Sequence, residues 1–268
     1  MSFLKVENKH FLISGVSNKK SIAYFVAQEL LLNGAKVIFS VQSADHAGRV
    51  EKLFPGSKIY LCDVENEASV KTLGTHLSNF LGTEKLQGFL HSMAFANYAE
   101  GIKPFHETKW PDFAQAAQIS CFSLTSMSNA FKNIFAADAS VVTVSISNTR
   151  ATNYGFMGPI KAMLDATVAY LAKSFSATSK VRFNAVCSGP LKTSASAGIP
   201  GYVDNYLFAE KLTLRKVALA TAEVADTICY LLSSRSSGIN ATGVLVDAGM
   251  SCNYFDEAVV AAASRVDN

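Results

Sequence analysis

Two side chains have the types and spacing for acid chemistry at a developing oxyanion: Tyr154 and Lys161. They stand seven residues apart in the run Tyr-Gly-Phe-Met-Gly-Pro-Ile-Lys. Seven residues is two turns of an α-helix, which would project both from one face. A phenol beside an ammonium group has its ionised form favoured. Such a phenol can give a hydrogen bond or a proton to an oxyanion, and the ammonium can hold a ribose hydroxyl. The same residues also suit a tyrosine packed at a helix start and a solvated lysine. The pair therefore needs support from the elements that would position it.

Those elements alternate along the chain. Strand-like runs occupy His10–Ser14, Lys36–Gln42, Lys58–Cys62, Gly88–Ser92, Ser140–Ser145, Arg182–Val186 and Gly243–Asp247. Several are almost continuously hydrophobic, as strands buried on both faces of a parallel sheet must be. Helical patterns fall near 21–33, 66–82, 109–135, 154–179 and 221–233. Strand and helix in alternation argue for an α/β fold, a doubly wound parallel sheet built from right-handed βαβ units.

In such a sheet, ligands gather at the carboxyl ends of the strands. The first strand ends at Ser14-Gly15, and a helix begins near Ser21-Ile22. That turn is where a dinucleotide pyrophosphate meets backbone N–H groups. Of the usual Gly-x-Gly-x-x-Gly only Gly15 is present, and a tight turn needing one glycine explains it equally well. Gln42 ends the second strand, where an amide can hydrogen-bond ribose. No arginine follows until Arg49, so a dinucleotide held here would be NADH rather than NADPH. Asp63-Val64 after the third strand could receive an adenine ring, and Ser92-Met93-Ala94 after the fourth occupies the equivalent place.

Composition narrows the classes. The chain has 268 residues, 49% hydrophobic and 17% charged, which excludes a disordered chain. A net charge of +3 is too weak to argue for nucleic acid or an anionic membrane surface. Five cysteines lie far apart with no C-x₂-C pair, so reduced buried thiols are expected, with neither disulfide framework nor metal site. The polar N-terminus lacks a signal-peptide core, and no uncharged run is apolar enough to span a bilayer. A cytoplasmic protein is expected. No linker or repeat divides residues 1–268, so one domain is expected. Residues 190–212 form the least regular stretch, expected to be a lid or binding loop, and 256–268 a tail that frays.

Taken together, the residues resemble the short-chain dehydrogenase/reductase superfamily, specifically the NADH-dependent enoyl-acyl-carrier-protein reductases. The matching pieces are Gly15-Val16, Ser21-Ile22-Ala23-Tyr24, Gln42, Gly48-Arg49-Val50, Cys62-Asp63-Val64 and His91-Ser92-Met93-Ala94-Phe95-Ala96. They continue with Asn153-Tyr154, Met157-Gly158, Lys161-Ala162, Val181-Arg182-Phe183-Asn184-Ala185, Ser188-Gly189-Pro190-Leu191-Lys192-Thr193 and Val246-Asp247-Ala248-Gly249, in order over residues 3–255. The six-residue gap between the tyrosine and the lysine separates enoyl reductases from ordinary superfamily members, which have three.

The resemblance implies a seven-stranded sheet, a homotetramer, and hydride transfer from NADH to the β-carbon of a trans-2-enoyl thioester carried on acyl carrier protein. It implies that Tyr154 stabilises the enolate and that Lys161 binds the nicotinamide ribose. Gly15, Ser21, Ile22, Gln42, Asp63, Val64, Ser92, Met93 and Ala94 would line the cofactor site. Leu191, Lys192, Thr193, Ser194 and Ala195 would contact the pyrophosphate and open the substrate lid, and Ala96 would touch the acyl group. One departure stands out. The family carries a second tyrosine ten residues before the catalytic one, whereas here the segment from Ser145 to Tyr154 is two residues shorter and Ile146 takes that place. Two other readings follow: a divergent reductase of another carbonyl or enone, with Ser145 or Ser147 holding the carbonyl, and a non-catalytic NAD-binding protein. Retention of Tyr154 and Lys161 weighs against the second of these.

Overall fold

The computed structural model describes residues 3–147 and 151–264, and the backbone only of Ser194 and Ala195. The strands are β1 (His10–Ser14), β2 (Lys36–Val41), β3 (Lys58–Leu61), β4 (Leu86–His91), β5 (Phe135–Ile146), β6 (Arg182–Ser188) and β7 (Thr242–Val246). They form one sheet in the order β3-β2-β1-β4-β5-β6-β7, with every pairing parallel. This is the doubly wound sheet that the sequence predicts. The order reverses between β1 and β4, the point where such sheets open a crevice for ligands.

Helices α1 (Ile22–Leu32), α2 (Ala44–Leu53), α3 (Glu67–Leu81), α4 (Trp110–Ala117) and α5 (Ser123–Phe131) precede β5. After it come α6 (Met157–Phe175), α7 (Ser194–Ala197), α8 (Tyr202–Leu212), α9 (Thr221–Leu232) and α10 (Glu257–Ala263). Side chains alternate between the two faces of each strand, and on the strands between the edge strands β3 and β7 both faces are largely buried. Phe11, Ile13, Phe39 and Leu90 pack with Val26, Leu30, Val224 and Ile228 of α1 and α9. Leu12, Ile38, Phe89 and Val141 pack with Leu73, Leu77, Leu124, Ile160 and Leu164 of α3, α5 and α6. That two-sided burial is why the strands read as unbroken apolar runs.

The structure differs from the sequence expectations at several elements. β5 begins at Phe135, inside the stretch expected to be helical, and a register shift against β4 absorbs the extra residues. The expected helix over 109–135 is two helices joined by a π-turn at Gln118–Phe122. Helix α2 was not expected. It buries only Val50, so it has no apolar stripe to read, and Ser43 caps it by accepting from the His46 N–H. The stretch 190–212, expected to be irregular, contains α7 and α8. The described part of the tail forms α10, capped by Asp256, and residues 265–268 of that expectation lie outside the described residues. No helix of the described chain is long and apolar enough to cross a membrane.

Candidate active site

A cavity of about 950 Å³ runs along the carboxyl ends of β1 to β6 and under α7 and α8. At its β1 end, Gly15 has φ +95°, and a Cβ there would sit 1.9 Å from the Ser92 carbonyl oxygen. Only glycine lets the β1–α1 turn approach the loop after β4 this closely. Ile22 continues the wall. Ser21 does not line the cavity: it is buried at the α1 N-cap, and its hydroxyl donates to the Asn18 carbonyl at 2.7 Å.

Gln42 lies exposed beyond β2 and lines the cavity together with His46. His46 Nδ1 and Ser43 Oγ lie 2.8 Å apart, and Arg49 is held by Asp45 at 2.6 Å. Asp63 accepts the Glu65 N–H at 3.1 Å through one carboxylate oxygen, leaving the other for a ligand, with Val64 beside it in the wall. Ser92, Met93, Ala94 and Ala96 follow along the loop after β4. Ser120, in the π-turn, clamps that loop: its hydroxyl accepts from the Phe95 N–H at 2.9 Å and donates to the Phe95 carbonyl at 3.1 Å. The widened turn supplies the reach, as π-turns near functional sites commonly do.

Tyr154 and Lys161 both face the cavity, but not as two turns of one helix. Tyr154 ends a 3₁₀ turn, Thr152–Tyr154, and α6 starts only at Met157. Gly155 between them has φ +58°, a left-handed conformation that stops a continuous helix. The Tyr98 hydroxyl donates to the Tyr154 carbonyl at 3.1 Å and fixes this turn, while the Tyr98 ring tilts against Phe156. The sequence expectation of a favoured phenolate is corrected as well. Burial pushes the Tyr154 phenol above its ordinary value, and the Tyr202 and Tyr98 phenols push the same way. Tyr154 is therefore a neutral hydrogen-bond donor at physiological pH.

Lys161 is 4% exposed and donates to the Val144 carbonyl at 2.7 Å. Burial lowers its ammonium to about 8, partly opposed by Asp165. His91, after which the Ser92 loop begins, bridges Thr143 Oγ1 at 2.9 Å and Ser123 Oγ at 2.7 Å. Burial drives its imidazole down to about 3, so it serves as a neutral strut tying β4 to β5 and α5.

On the lid side, Leu191 and Thr193 line the cavity. Lys192 does not: it is exposed, with its ammonium 4.5 Å over the Tyr206 ring. Ser194 and Ala195 fall within α7, where only their backbone is described. Ser196 holds the loop, donating to the Leu191 carbonyl at 2.8 Å and accepting from the Thr193 N–H at 2.9 Å. The Tyr202 hydroxyl accepts the Leu191 N–H at 2.8 Å. Tyr98, Ser196 and Tyr202 line the cavity and were passed over by the sequence reading. The aromatic residues in 202–208 were the available signal for the lid. Nothing local marks Tyr98, which reaches the site only through the fold. Ile146 and Ser147 line the cavity at the end of β5, while residues 148–150 of the shortened segment lie outside the described residues.

Ile119, Ile146, Met157, Ile199, Phe208 and Leu212 line the same cavity as Tyr154 and give it an apolar wall. A chamber of this kind takes an elongated apolar group with a polar head at the phenol. Comparison with known proteins agrees. A family model described as enoyl-(acyl carrier protein) reductase matches residues 15–251. The enoyl-[acyl-carrier-protein] reductase [NADPH] of Staphylococcus aureus is 32% identical over 253 residues, covering 92% of this chain and 98% of that protein. The [NADH] enzyme of Escherichia coli is 33% identical over 264 residues, covering 96% and 98%. The crystal structure of the NADH enoyl reductase of Aquifex aeolicus superposes with a TM-score of 0.86 at 29% identity, covering 92% of this chain and 97% of that one. Fold, cavity and similarity over nearly the whole length converge, and the chain belongs to the enoyl-acyl-carrier-protein reductase family.

Proposed function

We propose that this chain, an enoyl-acyl-carrier-protein reductase by family, reduces the trans-2 double bond of enoyl thioesters in fatty-acid synthesis and takes NADH in preference to NADPH. The observation that carries the reading is the neutral, half-buried Tyr154 phenol with Lys161 in a strand-end cavity that also has an apolar wall. The residues present suit a dinucleotide: Gly15 opens the pyrophosphate turn, Asp63 keeps one carboxylate oxygen unengaged by its own turn, and Lys161 uses one hydrogen bond on Val144. Bound there, the reduced nicotinamide supplies hydride to the β-carbon. The protein does the rest. Tyr154 O–H donates to the thioester oxygen and stabilises the negative charge that develops there. Lys161 holds the nicotinamide ribose, and the wall around Ile119 and Phe208 excludes water from the enolate.

NADH preference rests on the β2 end. Gln42 offers an amide to the ribose, and the nearest arginine, Arg49, is engaged by Asp45. Relatives of both kinds, [NADPH] and [NADH], are similar to this chain, so the discrimination lies in such local residues. Residues 190–212 act as a lid whose helix α8 moves to admit the acyl chain. The carrier protein delivers the substrate, and the enzyme works in the cytoplasm as a homotetramer.

Following NADH oxidation with crotonyl and dodecenoyl thioesters, then with a ketone panel, tests the reading. Turnover of the thioesters supports it. Turnover of ketones alone, or tight NADH binding without turnover, contradicts it. Comparing kcat/KM for the two cofactors tests the preference. A tenfold advantage for NADPH, about 1.4 kcal/mol in the other direction, would show that another group reads the 2′-phosphate.

A further inference from the structure

Beneath the cavity floor, a cluster of titratable groups gathers around Lys161 that the chemistry above does not use. His91 comes from β4, Ser145 and the Val144 carbonyl from β5, Cys187 from β6 beside Ser145 in register, and Cys121 from the π-turn. Asp165 lies one helical turn after Lys161 on α6, where i and i+4 share a face. The Ser145 hydroxyl oxygen and Asp165 Oδ1 are both buried, and among the described residues neither has a partner at full hydrogen-bond geometry, although Ser145 lies close enough to Asp165 to pull its carboxyl down. Buried polar atoms without partners are rare in folded proteins and mark places where something other than packing was selected.

We propose that Asp165 is a positioning residue for Lys161: its carboxylate is the counter-charge that keeps the buried ammonium protonated and its remaining donors directed into the cavity. The assignment rests on Lys161 being the ribose anchor described above. It follows by elimination among the groups that face the ammonium. His91 is neutral, since burial takes it down to about 3 and both ring nitrogens are engaged by Thr143 and Ser123. Burial pushes Cys187 up to about 12 and Cys121 in the same direction, so both are neutral thiols. Tyr154, on the turn before α6, is a neutral phenol. The Val144 carbonyl accepts one hydrogen bond and offers no charge. Asp165 remains. Burial raises its carboxyl, while nearby Ser145 and Lys161 pull it down, and its pull on Lys161 opposes the lowering that burial imposes there. Without the carboxylate, Lys161 would lose its proton at lower pH.

The test is NADH binding, followed by its fluorescence in the intact protein from about pH 6 to about pH 10, which spans the range where a perturbed lysine titrates. The parent affinity should fall as pH rises through about 8. In Asp165→Asn the fall should come about one pH unit earlier, with affinity near the acid end within about twofold of the parent. Asp165→Glu should restore most of the shift. Asp165→Ser, a second neutral variant, gives the same readout should the asparagine chain not fold. A loss of affinity equal at every pH, or a fall at the parent's pH, overturns the proposal. Lys161→Met separates the counter-charge role from the ribose anchor. If it weakens NADH binding while Asp165→Asn leaves the pH profile in place, the counter-charge role alone fails. If it binds NADH like the parent, the ribose anchor fails as well.

Discussion

Arg182 and Lys161 are both buried cations, 6% and 4% exposed, and they sit in opposite kinds of surroundings. Arg182 opens β6, and its guanidinium donates to the carbonyls of Ser236, Ile239, Leu231 and Ser233 and to the Ser236 hydroxyl. It closes the connection between α9 and β7, and a planar fork of donors matches that cage of oxygens. Lys161 makes one hydrogen bond, to Val144, and burial lowers its ammonium to about 8. One cation has both terminal nitrogens of its guanidinium engaged by protein oxygens. The other is left with donors in hand at the floor of a cavity. A buried charge with many protein acceptors holds architecture together. One with partial coordination costs stability and is retained for what it will hold.

Substitutions at the two cations should therefore part stability from activity. Lys161→Met removes a charge that makes one hydrogen bond but leaves the Asp165 carboxylate without its counter-charge, so thermal unfolding should show a smaller Tm fall than the arginine variant. Its kcat/KM should nonetheless fall by about 10²–10³-fold, roughly 3–4 kcal/mol, and NADH should bind more weakly. Arg182→Met should do the reverse. It leaves several buried carbonyls without a donor, each costing about 1–3 kcal/mol, so a loss near 3 kcal/mol or more and a Tm fall of roughly 6–12 °C are expected. KM for NADH in the folded fraction should stay at the parent value. A large Tm drop in the lysine variant, or a changed KM in the arginine variant, would break the contrast. The smallest effect should come from Tyr202→Phe, which removes only the acceptor of the Leu191 N–H. About 0.5–1.5 kcal/mol of lid stability should go. It should be read as faster hydrogen exchange in 190–212, with turnover changed by only a few-fold.

The sheet was legible because its inner strands are buried on both faces. Runs such as Val141 to Val144 carry that burial openly, and all seven strands appear where such runs lie. What the sequence concealed has physical reasons. Helix α2 buries a single side chain, Val50, and so leaves no periodic stripe. Helix α8 turns Val203, Leu207 and Phe208 outward or to the cavity rather than into a core, and its apolar residues read as irregular. The spacing of Tyr154 and Lys161 was read as two turns of helix, but Gly155 breaks the turn, and the pairing at the cavity comes from the Tyr98 clamp instead. Most of the residues expected at the strand ends line one cavity, because the sheet order forces them together. Ser21 and Lys192 do not: their side chains are taken up by local contacts, with the Asn18 carbonyl and with the Tyr206 ring.

The central claim is that a neutral Tyr154 phenol supplies the hydrogen bond on which enolate formation depends. Tyr154→Phe keeps the ring in its pocket and removes that one donor. Ile146 leaves no phenol at the end of β5. Tyr98 and Tyr202 are the other phenols lining the cavity, and each hydroxyl is hydrogen-bonded to a backbone atom, at Tyr154 and at Leu191. Single-turnover reduction of dodecenoyl thioester by the variant with NADH, beside NADH affinity measured on the same sample, is the decisive measurement. The rate should fall about 10²–10³-fold while NADH affinity stays within about twofold of the parent. Near-native reduction by Tyr154→Phe would contradict the account and pass the donor role to Ser145, Ser147 or water.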